Sequence, residues 1–333
     1  MCLKTKGWLG WIAGVAIPAV FFIGACTGEQ KGYEIGILCG LDYISELPNG
    51  FRAKMAELGY TEGENIVYHI QHTNFEPENE RKILEQFVED RVDLILSCPT
   101  EASMLAKAVA EGSGIPVIFA FANTEGTGLV DSIRRPGGNI TGVRYPGPDV
   151  ALHRFEILLQ IKPDTKAVLV PYQAGYPIVP SQLEALHPAA EARGVDLIEA
   201  PSANAEELQS FIESLSESER DGIDAILFVA EPLAVTESAF AVIAAFGAPR
   251  GIPCGGAMMS VDGYRSLFGA NPDVVDSGRE AAVQADRVLK GNPAGEIPIV
   301  SAEYDLEIDY GSARAFGLDV PEGLLSRANR IYR

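Results

Sequence analysis

A chain of 333 residues with 46 acidic against 26 basic side chains has a formal net charge of −20 at pH 7, a field that repels phosphate backbones and excludes nucleic acid as an expected partner. That length is more than one hydrophobic core usually serves, so two domains are expected. No histidine spacing suits a metal: His69 and His72 fall in one strand-like run and point to opposite faces, and His153 and His187 stand alone on helical stretches.

The first predicted element is a leader. Lys4 and Lys6 precede an uncharged run from Gly7 to Ala25 that closes on Ile23-Gly24-Ala25-Cys26. An aliphatic residue, two small residues and a cysteine resemble a lipobox, so residues 1–25 are expected to be removed and Cys26 lipidated. The mature chain would then start with a lipidated tether at 26–32, outside the cytoplasm and anchored to the cell membrane, periplasm-facing or on the cell surface. A retained span is the alternative, because the uncharged run is just long enough to cross a bilayer. Pro18 and four glycines make it a poor stable helix. Of the remaining cysteines, Cys39, Cys98 and Cys254, the first two end apolar runs expected to be neighbouring strands. Buried small residues, a Cys39–Cys98 bridge and a thiol contact with ligand or metal are all open readings.

Beyond the tether, short apolar runs alternate with longer helical periods, the pattern of parallel sheets covered on both faces. Strands are expected at 33–39, 66–71, 92–98, 116–121 and 140–145, with helices at 50–58, 78–90 and 101–112. Ile83, Leu84, Phe87 and Val88 show the helical spacing. Tyr145-Pro146-Gly147-Pro148 suits a hinge. The alternation then restarts at Lys166, with strands at 166–171, 195–199 and 224–230 and helices near 181–193, 205–216 and 234–246. The fold class is α/β, as two doubly wound, Rossmann-like lobes with a ligand cleft between them.

No Walker A loop, Gly-x-Ser-x-Gly elbow or His-Glu-x-x-His appears. Gly112-Ser113-Gly114 reads as a helix stop, while Gly137-Gly138 and Gly255-Gly256 read as turns without a dinucleotide fingerprint. No catalytic residue and no cofactor are expected. Ligands of open α/β sheets sit beyond the carboxyl ends of strands. Those ends are 39–45, 98–103 and 121–124 in the first lobe, and 172–176, Glu231 and 254–258 in the second.

Ile115-Pro116-Val117-Ile118-Phe119, Gly128-Leu129-Val130 and Arg135-Pro136-Gly137-Gly138-Asn139-Ile140-Thr141-Gly142-Val143 resemble the core signature of bacterial ABC transporter substrate-binding proteins of the tryptophan/phenylalanine-binding type. Upstream, Phe51-Arg52, Glu57-Leu58-Gly59-Tyr60 and Glu62-Gly63-Glu64-Asn65-Ile66 are similar to the family's first helix and second strand. Gly278-Arg279-Glu280-Ala281-Ala282, Ile297-Pro298, Ala315-Phe316-Gly317-Leu318 and Leu324-Leu325-Ser326-Arg327-Ala328 continue the likeness to the tail.

The resemblance implies a type I periplasmic-binding-protein fold with discontinuous lobes: 33–145 plus about 274–299, and 146–273 plus about 300–333. Asp276-Ser277-Gly278 and Gly291-Asn292-Pro293 supply local start and stop signals for the returning helix. It further implies a monomer that captures an amino acid or aromatic compound by lobe closure and serves an ABC permease and its ATPase. A ligand-sensing subunit for a signalling receptor is the alternative, and an enzyme with Cys39 or Cys98 as nucleophile a third reading.

In the family's amino-acid binders the ligand carboxylate is held by first-lobe loops and helix starts, while an acid of the second lobe faces the ammonium. Thr100-Glu101-Ala102-Ser103 stands where Gly-Thr-Pro-Ala is usual, and is either a donor loop or an ordinary helix cap. Glu231-Pro232 stands where Asp-Pro is usual; Asn123 replaces another such acid, so any charge contact there is lost. Tyr43, Phe121, Tyr145, Tyr172 and Tyr176 offer rings for stacking. Asp42, Cys98 and Gly256 complete the candidate ligand contacts. The loop at 172–177 and the turn at 254–259 depart from the family pattern, which argues against assuming tryptophan or phenylalanine as the ligand.

Overall fold

Apolar runs flanked by turn residues give strands here because both faces of each sheet are covered. In the computed structural model, which describes residues 32–333, the first lobe opens as β1 (Tyr33–Cys39), α1 (Leu47–Glu57), β2 (Ile66–His72), α2 (Pro77–Glu89), β3 (Leu94–Cys98), α3 (Thr100–Val109), β4 (Val117–Ala122) and β5 (Ile140–Arg144). The leader, Cys26 and the rest of the expected tether up to residue 31 lie outside the described residues. β3 is buried at every position and β1 from Ile35 onward, which explains their unbroken apolar runs. The parallel order is β2-β1-β3-β4-β5. That order reverses direction between β1 and β3, a topological switch point where ligands of such sheets bind.

The second lobe follows with α4 (Gly147–Ile161), β6 (Ala167–Gln173), α5 (Val179–Arg193), β7 (Asp196–Ser202), α6 (Ala205–Ser214), α7 (Glu217–Asp221), β8 (Ala225–Leu227), α8 (Glu237–Gly247) and β9 (Cys254–Gly255). Its parallel sheet is ordered β7-β6-β8-β9. A hairpin, β10 (Ser260–Val261) and β11 (Tyr264–Arg265), leads into β12 (Phe268–Pro272) and α9 (Val274–Leu289). β13 (Val300–Ser301) then pairs with β5 and completes six strands in the first sheet. β14 (Tyr304–Asp309) returns antiparallel to β12, α10 (Tyr310–Ala315) and α11 (Glu322–Leu325) follow, and β15 (Arg330–Tyr332) closes parallel to β14. A bridge between Gly256 and Gly269 joins this edge to β9.

Three differences from the sequence expectations have local causes. The Pro/Gly cluster after Tyr145 starts a helix, with Pro148 in the first turn of α4, where the missing N–H would have no intrahelical partner. β8 is shorter than 224–230, pairing with β6 only at Ala225 and Ile226 and with the two-residue β9 at Ile226 and Leu227. α9 starts at Val274, capped by the Asp273 side chain accepting from the Asp276 N–H at 2.7 Å.

Cys39 and Cys98 face each other in the β1/β3 register, but they, like Cys254, are free thiols and fully buried. Of the three readings left open, the structure has the small buried residues and not the bridge. The Cys98 thiol beside it lowers the Cys39 thiol to about 7 against the opposing effect of burial. Burial should nevertheless dominate reactivity, since a thiolate must be reached to react. In the native protein Cys39, Cys98 and Cys254 are expected to stay unlabelled by a maleimide and to label together after unfolding, read by peptide mass. Recovery of a peptide linked through Cys39 and Cys98 from untreated protein would show the bridge instead.

Candidate functional site

The carboxyl ends of both sheets face one cavity of about 300 Å³, at the small end of ligand clefts. A larger groove of about 750 Å³ lies at the amino ends of β4 and β5, between the end of α3 and Gly138, Asn139 and Ile140. That groove is walled by one lobe and lies at the wrong strand ends for a ligand of this fold, so the smaller cavity is the candidate site.

First-lobe walls come from the loops after β1, β3, β4 and β5. Phe121 enters the wall through a bulge in β4, where the β4/β5 register shifts between Ala120 and Ala122. Its φ of 53° is in the left-handed region, which is strained for a non-glycine residue and re-aims the ring. The ring packs edge-on against Tyr145, centroids 5.1 Å apart. Thr100 opens α3 without a side-chain cap; its hydroxyl oxygen instead accepts from the Asn123 N–H at 3.0 Å. That bond fixes Asn123 in the wall with its Oδ1 buried and without a partner.

The second lobe contributes Arg154 from α4, Tyr176 and Ile178 after β6, the 229–236 segment after β8, Ala257 and Asn271. Arg154 is 2% exposed and donates from Nε to the Ala270 carbonyl (3.0 Å), from Nη1 to the Phe228 carbonyl (2.9 Å), and from Nη2 to Tyr145 Oη (3.3 Å) and Asn271 Oδ1 (2.5 Å). Burial pushes the Tyr145 phenol up, against the pull of the Arg154 charge. Glu231 is 8% exposed. Its Oε2 accepts from the N–H groups of Gln173 (2.9 Å) and Leu233 (2.7 Å), and its Oε1 from Ala234 (2.7 Å). Burial raises its carboxyl above the usual range although these N–H groups pull the other way.

Of the residues singled out in the sequence, Tyr43, Thr100, Phe121, Asn123, Tyr145, Tyr176 and Glu231 line the cavity. Six do not. Asp42 is exposed beside it. Cys98 turns its Sγ toward the Leu38 carbonyl, 3.7 Å away, and Ala102 packs in the first-lobe core. Glu101 lies off the wall with both oxygens buried, beside the Tyr176 phenol, which burial, then the Glu101 charge and a hydrogen bond to Glu101 push up. Tyr172 donates to Glu199 at 2.7 Å. Gly256 serves close packing, since a Cβ there would sit 2.4 Å from the Phe228 carbonyl oxygen. Arg154 and Asn271 were not singled out in the sequence. The available signal for Arg154 was its place on the buried stripe of α4, with Val150, Ala151, Phe155 and Leu158.

Known proteins resemble this chain in sequence and in fold. The family model described as ABC transporter substrate binding protein matches residues 39–332. A tyrosine-binding protein of Clostridioides difficile (strain R20291) is 25% identical over 281 residues, 83% of this chain and 78% of its own length. Among solved structures, an ABC domain in complex with L-Trp from Streptococcus pneumonia has a TM-score of 0.75 at 21% identity, covering 90% of this chain and 100% of that one. A ligand-free, open substrate binding protein with adhesive properties from Clostridium difficile has a TM-score of 0.71 at 20% identity, covering 90% and 99%. At these identities the structural likeness establishes the fold.

Proposed function

We propose, because the chain belongs to the ABC transporter substrate-binding protein family, that it is the extracytoplasmic solute receptor of an importer and captures a small aromatic compound or amino acid between its lobes. The observation that carries this reading is the cavity at the carboxyl ends of both sheets, walled by aromatic residues of each lobe. The tyrosine-binding relative and the L-Trp complex support a ring-bearing solute. Lobe closure over the solute would create the shape that a permease and its ATPase recognise, provided the solute prefers the closed state. Lipid at Cys26 would hold the monomer at the membrane; among the described residues no helix is long and apolar enough to cross one. The reading involves no covalent chemistry.

A solute that binds only the folded state raises its stability by mass action, about 2.7 kcal/mol at a hundred times Kd. A thermal-shift screen of the purified protein against aromatic amino acids, indole and benzoate derivatives, nucleobases and short peptides is expected to give shifts in the first two groups. The active compound should also reduce the radius of gyration by small-angle scattering. Absence of a shift throughout the aromatic set, or binding without contraction, would contradict the proposal.

A further inference from the structure

We propose that Arg154 is the anion receptor of the cleft, and that the solute is a small aromatic carboxylate whose amino group, where it has one, adds little to affinity. This rests on the solute-binding reading above. A guanidinium carries five N–H groups, and four of those on Arg154 are satisfied by two carbonyls, a phenol oxygen and an amide oxygen. None of these acceptors is charged; the Glu231 carboxylate, which also lines the cavity, feels the Arg154 charge, but among the described residues no carboxylate forms an ion pair with Arg154. One Nη1 proton has no acceptor. Buried charges are ordinarily paired, and this one lines the cavity.

Two hydroxyls on the same wall extend the donor set. Tyr145 accepts from Arg154 and Thr100 accepts from the Asn123 N–H, yet neither hydroxyl proton is donated to an acceptor among the described residues. A carboxylate entering the cleft therefore meets a desolvated cation and donors awaiting an acceptor.

The carboxylate that lines the cavity, Glu231, is already committed to donors of its own lobe. Glu231 is engaged by three main-chain N–H groups, and Glu101 lies off the wall. The acceptor that the wall presents unpartnered is Asn123 Oδ1, a neutral amide oxygen that receives a hydroxyl as readily as an ammonium. The family resemblance implies first-lobe donors for the carboxylate and a second-lobe acid for the amine; here Thr100 and Tyr145 supply first-lobe donors, but the charge that meets the carboxylate is the second-lobe Arg154. A cation with an N–H to spare, beside a carboxylate whose acceptor positions are largely taken, selects ligands by net charge.

Isothermal titration of the purified native protein with matched compounds tests this: L-tyrosine, L-phenylalanine and L-tryptophan; their des-amino acids 3-(4-hydroxyphenyl)propanoate, 3-phenylpropanoate and indole-3-propanoate; and tyramine, phenethylamine and tryptamine. For whichever ring binds, the des-amino acid is expected within about tenfold of the amino acid or tighter, and the amine weaker by about 100-fold. Arg154→Lys keeps the charge but loses the planar fork, and should weaken the carboxylates by about tenfold or more. Asn123→Asp supplies the missing anion and should swing preference toward the amino acid over its des-amino partner by about tenfold. The comparison on native protein needs no variant, so it stands even if Arg154→Lys fails to fold. An amino acid that binds far more than tenfold tighter than its des-amino partner, or an amine that binds as well as either, overturns the assignment and leaves the solute-binding reading intact. Silence of the whole set overturns both.

Discussion

Gly278→Ala is expected to lower the free energy of unfolding by about 2–3 kcal/mol, although alanine is the better helix former by about 1 kcal/mol. α9 crosses α1 with main chain against main chain. A Cβ on Gly278 would lie 2.1 Å from the Leu47 carbonyl oxygen and 2.9 Å from the Phe51 nitrogen; one on Gly50 would lie 2.1 Å from the Val275 oxygen. Backbone atoms cannot rotate aside, so the helices must separate and loosen the contacts of Phe51, Met55, Ala281 and Ala285, all fully buried. Denaturant unfolding should show a lower midpoint with unchanged slope. Gly323→Ala, whose added Cβ meets no heavy atom within 4 Å, is the control and should show no loss. Equal behaviour of the two variants would mean that the α1–α9 crossing does not depend on this approach. Because Leu41 and Tyr43, just ahead of α1, line the cavity, solute affinity should weaken along with stability.

Much of the scaffold was legible because burial on both faces writes itself as uninterrupted apolar runs; β1, expected at 33–39, begins and ends there. Strand ends were legible for the same reason, and they brought out Phe121, Tyr145 and Tyr176. Arg154 was not, because its acceptors, Phe228 just after β8 and Ala270 and Asn271 in β12, lie far along the chain, and no periodicity encodes that convergence. Phe121 was placed at the correct strand end, but nothing in its type announces a positive φ, which tertiary packing imposes. Glu231 was found and its partners were not. An acid at the lip of a strand reads as a ligand contact until the main-chain donors around it are known.

Those donors make Glu231→Ala the most disruptive single change expected in the second-lobe wall, at about 3 kcal/mol of stability. Three N–H groups, on Gln173, Leu233 and Ala234, would lose their acceptor together, and Leu233 and Ala234 are buried. A buried unpaired main-chain donor is destabilising by about 1–3 kcal/mol, so the loss reaches this size even if water satisfies one of them. Pro232, Val235 and Thr236 on the adjoining segment line the cavity, so solute affinity should fall although the carboxylate need not touch the solute. Hydrogen exchange at Leu233 and Ala234 should accelerate, whereas a ligand-contact role alone would leave both amides protected. Glu231→Gln keeps one oxygen but turns an NH₂ toward a donor, and should fall between wild type and alanine. Its comparison with wild type also carries a pH signature. The native carboxyl of Glu231 is raised above its unfolded value by burial, so its contribution to stability is complete below the unfolded value and declines as pH rises through the native one. The stability gap between wild type and Glu231→Gln should therefore narrow from pH 4 to pH 8, and a gap that widens would mean that the three N–H bonds outweigh burial.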